Sequence, residues 1–335
     1  MNIYDISKQA GVSIATVSRV LNGSSKVSSA TREKVLQVME QNGYVPNAFA
    51  RSLGLNTMRT IGILCADASD IYLASAIYFL ERELRKNAYA SMLCCTGYNL
   101  EERQQYLQLL LSRNVDALFL AGSNFIEESA SKNNYLKEAA EKIPVFILNG
   151  SMAAKNVYSI LCDDRQSVLE LTNSILLAGS TAPIYLYRSL SYSGKRKLEG
   201  FLDACKSHGM ANPKARAFSC PPTIAQASAF LQALANSGFY FDACIASDDE
   251  LAVGAVKYAQ AAGRQIPGSL QVTGYNASLI SSCSTPEITT VDNRVEFMCV
   301  TAVSLLMQVF EKKDIPAKTM FTGNIIHRAT TRPLK

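Results

Sequence analysis

Histidine is scarce in this sequence, with only His208 and His327, and the nine cysteines include no Cys-x-x-Cys pair. A zinc centre needs four clustered nitrogen or sulfur ligands, so neither a metal nor a cofactor is expected. Cys65, Cys94, Cys95 and Cys244 lie in apolar runs, and their odd, scattered total reads as buried reduced thiols of a cytoplasmic protein. No apolar run approaches the roughly twenty residues of a membrane span. The first residues are polar and helix-like, where a secretion signal would carry an apolar core. No phosphate-cradling loop or Asp-x-Asp set is present, and Asp248-Asp249-Glu250 lacks a nucleophile or base to work with, so no enzyme is expected.

What is present is unevenly distributed. The chain has 335 residues, 48% hydrophobic and 18% charged, enough for two or three domains with cores of their own. Its net charge is +5, and residues 1–60 hold seven Lys and Arg against three Asp and Glu, leaving the remainder nearly neutral. A basic excess confined to the N-terminal sixth suits a nucleic-acid-binding head. A solvated basic surface would explain the charge alone, but not the pattern inside it.

That pattern centres on Ala10-Gly11-Val12-Ser13-Ile14-Ala15-Thr16-Val17-Ser18-Arg19-Val20-Leu21-Asn22. Two short helical segments meet at Gly11. Asn2, with Asp5 three residues on, caps the first and Ser13 caps the second. Val17, Val20 and Leu21 form one apolar stripe on the second helix, leaving Ile14, Ala15, Ser18, Arg19 and Asn22 to point elsewhere. This is the pattern of a helix-turn-helix whose second helix enters the DNA major groove N-terminus first. Ser28 caps a third helix to about Asn42, with Val35, Val38 and Met39 inward and Gly43 as its stop. Pro46 then breaks the chain direction, and Asn47 to Leu53 is a helical stretch too short to stand alone in water.

From Ile61 the chain alternates apolar strands with helical segments. Strands are expected near 61–65, 91–95, 117–120, 145–148, 158–162, 184–187, 243–246 and 271–275, with helices near 73–86, 101–112, 165–177, 195–207 and 250–261. Such alternation builds parallel sheets covered by helices on both faces. The restart near residue 161 gives two lobes, and ligands of such sheets bind at the C-terminal ends of strands, which points to a cleft between the lobes.

Taken together, these segments resemble the LacI/GalR family of transcriptional regulators over essentially the whole chain. The resemblance is carried by Ile3-Tyr4-Asp5-Ile6, Gly11-Val12-Ser13, Thr16 to Asn22, Val27-Ser28, Thr31-Arg32, Gly43 to Asn47 and Ala50-Arg51-Ser52-Leu53. It implies a three-helix head at 1–45, a hinge helix and linker at 46–58, and a body at 59–335 of two doubly wound parallel-sheet lobes like a type I periplasmic binding protein. The first lobe would take about 59–160 and 291–321, the second about 161–290 and 322–335.

The resemblance further implies that Ile14, Ala15 and Arg19 read bases, a triplet like that of the catabolite control proteins. Arg19 can donate twice to a guanine edge and Ala15 admits close approach. Ser13, Thr16, Ser18, Asn22, Lys26 and Thr31 would touch phosphates and fix register, although Ser13 and Ser28 read equally well as plain helix caps. Leu53, with its dimer mate, would wedge into a central step of the minor groove and kink the DNA.

For the effector pocket the resemblance implies Tyr72, Ser193, Lys197, Asp248 and Asn276. Lys197 stands where relatives carry Arg, Asp248-Asp249 where they carry Asn-Asp, and Asn276 where they carry Asp. These departures speak against a standard hexose mode and leave room for another sugar or polyol. Lys195-Arg196-Lys197 reads either as a site for a phosphorylated ligand or as a solvated face. The family pattern implies a homodimer on palindromic operator DNA, joined through the helix near 73–86 and the segment near 278–283. A repressor obeying a small sugar-like effector is expected, whether inducer or co-repressor, with a phosphorylated protein co-regulator as the alternative. A solute-binding receptor would share the body but have no use for residues 1–55.

Overall fold

The computed structural model describes residues 2–21, 24–44 and 57–333. Asn22 and the expected hinge helix with Leu53 lie outside the described residues.

The head contains α1 (Ile3–Ala10), α2 (Ile14–Leu21) and α3 (Ser29–Gln41). Asn2 and Asp5 form the expected reciprocal capping box. Gly11 takes a left-handed conformation, φ 60°, which a side-chain-bearing residue reaches only at a cost. There the amide of Val12 bonds to the Ser7 carbonyl, and the Ser7 hydroxyl bonds back to that of Val12, fixing the turn into α2. Ser13 and Ser28 both accept an amide bond three residues on, as N-caps do. Ile6, Ala10, Val17, Val20, Val35 and Met39 form the core, so the apolar stripe of α2 faces inward.

Two six-stranded sheets form the body among the described residues. The first contains β1 (Thr60–Cys65), β2 (Ala90–Cys95), β3 (Ala117–Ala121), β4 (Val145–Leu148), β5 (Val157–Cys162) and β11 (Lys318–Phe321). Its order is β2-β1-β3-β4-β5-β11, and every pair is parallel. The second contains β6 (Pro183–Tyr187), β7 (Ala217–Ser219), β8 (Ala243–Ala246), β9 (Gln271–Tyr275), β10 (Thr289–Asp292) and β12 (Asn324–Ile326). Its order is β7-β6-β8-β9-β10-β12, with only β12 antiparallel. The chain thus passes from one sheet to the other three times, after Cys162, after Asp292 and after Phe321.

Central strands such as β3 are buried throughout, as helices on both faces require. One face of the first sheet packs Ile63, Phe119 and Phe146 against α4 (Ile71–Lys86) and α12 (Val295–Phe310). The other packs Leu64, Leu118 and Leu120 against α5 (Leu100–Ser112) and α6 (Asn134–Ala140). Each such buried side chain contributes about 1.5–3 kcal/mol. On the second sheet, α7 (Asp164–Leu177) and α8 (Tyr192–Ser207) cover one face, α9 (Ile224–Asn236) and α10 (Asp249–Ala261) the other. The helices α7 and α8 cross so closely at Gly200 that a Cβ there would lie 2.2 Å from the Arg165 carbonyl oxygen.

Both sheets reverse their winding beside their first strand, between β1 and β3 and between β6 and β8. A doubly wound sheet opens a crevice at such a point, at the C-terminal ends of its strands. The two crevices face each other.

Candidate functional site

On the head, packing of α2 leaves Ile14, Ala15 and Arg19 exposed and Ser18 half-buried. Lys26 is exposed, and Ser13, Thr16 and Thr31 edge the same region. The hydroxyls of Ser13 and Thr16 lie 2.9 Å apart, and Ser28 donates to Thr31 at 2.8 Å, so these four serve as paired caps as well as surface hydroxyls. Arg32 is different: its guanidinium bonds the Ser24 carbonyl and braces the loop before α3. No ion pair among the described residues uses a head cation, which leaves Lys8, Arg19, Lys26 and Lys34 without a carboxylate partner there.

Between the lobes lies a cavity of about 620 Å³. Tyr72, Ser193, Lys197, Asp248 and Asn276, named from the sequence, all line it. Loops after β1, β3 and β4 supply Asp67, Asp70, Ser123 and Asn149, those after β6 and β8 supply Arg188, Ser191 and Ser247, and the first turn of α10 supplies Glu250. Polar contacts that cross from lobe to lobe include Arg188 to Asp70 at 3.0 Å, Ser123 to Ser191 at 2.8 Å, and Lys195 to Glu128.

Several lining groups are anchored from behind. The Asn149 amide donates to the Tyr72 hydroxyl at 2.6 Å, and Asn149 Oδ1 accepts the Cys162 amide. Burial pushes the Tyr72 hydroxyl well above its ordinary pKa, so it stays protonated. Asn276 sits at φ 96°, and its carbonyl accepts from Asn293. Lys197 is buried, with Nζ donating to the Ser247 carbonyl at 3.0 Å and lying 3.7 Å from the centre of the Tyr275 ring. Tyr275 in turn donates to Asp164 at 2.6 Å. Burial lowers the Lys197 pKa and raises that of Asp164, while each charge opposes the shift of the other.

Arg188 occupies the middle of the cleft. Its Nε donates to Asp248 at 2.9 Å, Nη1 to Asp70 at 3.0 Å and Nη2 to Glu250 at 3.0 Å, while Asp248 Oδ1 also lies 2.9 Å from Nη2 as an ion pair. Burial, with Asp248 close by, pushes Glu250 up to about 7. Asp249 faces away from the cavity: it accepts from Thr290 and from the amide and hydroxyl of Ser278, tying α10 to the β9 and β10 loops.

Sequence reasoning missed Arg188, Asp70 and Glu250. The rule that ligands gather at strand ends would have found Arg188, directly after β6, and Asp70, just beyond β1. The three basic residues at 195–197 do not act together: Lys195 pairs with Glu128, Arg196 with Glu199 on the surface, and only Lys197 reaches the cleft.

Among the described residues no group of His, Cys, Asp and Glu could hold a metal ion, and no helix is long and apolar enough to cross a membrane.

Comparison with known proteins agrees with both halves. Residues 2–47 match the model of bacterial regulatory proteins of the lacI family, and residues 176–331 that of the periplasmic binding protein-like domain. An HTH-type transcriptional regulator of Lachnoclostridium phytofermentans is 46% identical over 331 residues, covering 99% of each chain. Among solved structures, a lac repressor dimer bound to operator and the anti-inducer ONPF aligns over 99% of each chain, with a TM-score of 0.89 and 21% identity. A complex of the transcriptional regulator CelR with cellobiose aligns over 98% of this chain and 99% of its own, with a TM-score of 0.71 and 21% identity. The relatives are regulators and not enzymes, and this chain, with a helix-turn-helix head on a two-lobed α/β body, belongs to the LacI family of bacterial transcriptional regulators.

Proposed function

We propose that the chain is a cytoplasmic repressor that binds a palindromic operator as a homodimer and is controlled by a small, sugar-like metabolite in the inter-lobe cleft. The observation that carries this reading is the polar cavity where both winding reversals meet, on a chain whose head presents Ile14, Ala15 and Arg19 to solvent. A ligand there touches both lobes at once, and a ligand that favours one lobe arrangement shifts the population toward it.

On the head, Ile14, Ala15 and Arg19 read bases, while Ser13, Thr16, Ser18, Asn22, Lys26 and Thr31 hold the backbone. Leu53 wedges the minor groove and turns body movement into a change of DNA affinity. In the cleft, Tyr72, Ser193, Lys197, Asp248 and Asn276 contact the effector. Leu279 and Phe297, which are 75% and 53% exposed and share a groove with Ile71 and Phe79, support a dimer face on this side of the body. The complexes of the fold neighbours support the scheme, one with operator and an anti-inducer and the other with cellobiose.

Selection of operator sequences from a random duplex library by the full chain tests the reading. A two-fold symmetric consensus whose affinity changes with a sugar-like ligand is expected. Binding without sequence preference would overturn it, and a response only to a phosphorylated protein would replace the small effector.

A further inference from the structure

The charge in the cleft is out of balance. Asp67, Asp70, Asp248 and Glu250 line it against Arg188 and Lys197 alone, and the charge of Lys197, which lies over the Tyr275 ring, is already offset by Asp164 at that ring's hydroxyl. A guanidinium has five N–H donors, and three of those on Arg188, one from each nitrogen, are directed at Asp248, Asp70 and Glu250. The residue that would ordinarily clamp a phosphate or carboxylate is thus held in advance by three carboxylates.

The helix ends repeat the arrangement. Helix N-termini attract anions because their first amides are unpaired and their dipole is positive. Four of the described helices begin at the cleft: α4 and α10 are each met by a carboxylate of the chain, α8 and α9 by the hydroxyls of Ser191 and Thr223. Asp70 accepts the Leu73 amide at 2.9 Å and Asp248 accepts that of Leu251 at 3.0 Å. A phosphate entering at Arg188, α4 or α10 would displace a carboxylate, beside the remaining negative charges. A neutral ligand meets no such opposition, and Asp67, Glu250, Ser123 and Asn149 suit hydroxyl groups.

We propose that the cleft selects an uncharged, hydroxyl-rich effector and excludes phosphorylated or carboxylated ones, with Arg188 as the specificity-determining residue because its own carboxylates occupy it. This rests on the cleft being the effector site. Arg188 is an internal counter-ion that also joins the lobes through Asp70. Removing its partners should turn it into an anion site.

Titration of the full-length protein with inorganic phosphate, and with pairs of neutral sugars and their 6-phosphates, tests this by calorimetry and thermal shift. Wild type should show no phosphate binding at millimolar concentration and should prefer the neutral member of any pair that binds. The Asp70→Asn, Glu250→Gln variant, in which Asn retains the helix cap, should bind phosphate about tenfold or more tightly than wild type. Adding Arg188→Met should abolish that gain. Glu250→Gln alone, with the Asp70 cap untouched, should show a smaller gain in the same direction and serves if the double variant does not fold. Tighter wild-type binding of a sugar phosphate than of its neutral twin, lost in Arg188→Met, would overturn the proposal. A gain of phosphate binding in the variants with no response of wild type to any sugar would uphold the charge filter while refuting the effector site.

Discussion

Replacing Lys197 by Met keeps the aliphatic length of the side chain and deletes the cation that offsets Asp164. The consequence follows from burial: Lys197 is 8% and Asp164 3% exposed, so neither charge has water to replace its partner. Breaking a buried pair costs about 3–5 kcal/mol. Here the two charges do not touch: Lys197 Nζ sits over the Tyr275 ring while the Tyr275 hydroxyl donates to Asp164, which places the loss near the lower bound, about 3 kcal/mol. For a chain of this length that lowers Tm by roughly 6 °C. The deficit should shrink as pH falls from 7 toward 5, because Asp164, its pKa already raised by burial, takes up a proton in the folded state before the unfolded chain does. Urea denaturation followed by circular dichroism at both pH values measures it, and Asp164→Asn in the Lys197→Met background should restore most of the loss. A Lys197→Met protein as stable as wild type, or one that Asp164→Asn fails to rescue, would refute this coupling.

Arg19→Met should weaken binding to a selected operator by about ten- to a hundredfold, the worth of one bidentate base contact, with little change on random DNA, as measured by fluorescence anisotropy. Equal losses on both would reduce Arg19 to a phosphate contact. Gly200→Ala places a methyl 2.2 Å from the Arg165 carbonyl oxygen and should cost about 1–3 kcal/mol in chemical denaturation. Glu250, its pKa pushed up to about 7, loses its proton in the folded chain at a higher pH than in the unfolded chain, where it titrates near the ordinary carboxylate pKa. Folding stability therefore falls as pH rises through that window, and Glu250→Gln should flatten the fall in Tm between pH 5 and 7.5.

Much of the fold was legible because its signals are local. Asn2, Ser13 and Ser28 are caps that act within three residues, and Gly11 marks the turn by its own backbone preference. Strands such as β3 and β4 announce themselves as short apolar runs. The start of α8 was read late, at Lys195, because the basic run masked Ser191, whose hydroxyl accepts the Gly194 amide and begins the helix at Tyr192. The helix α12 went unread because Val295–Phe310 is apolar on most sides and has little of the periodicity that distinguishes a helix from a buried strand. In the cleft, Lys197 and Asp248 were accessible through the family pattern. The role of Arg188 was not, because its partner Asp70 is 118 residues away and a cation after an apolar strand looks like any surface residue.

Coupling between cleft and head is measured by the operator affinity of the full-length protein with and without a cleft-binding neutral sugar. A change of about fivefold or more, in either direction, is expected, and it should disappear in a Tyr72→Ala protein still able to bind operator. A sugar that saturates the cleft while operator affinity stays the same would contradict it.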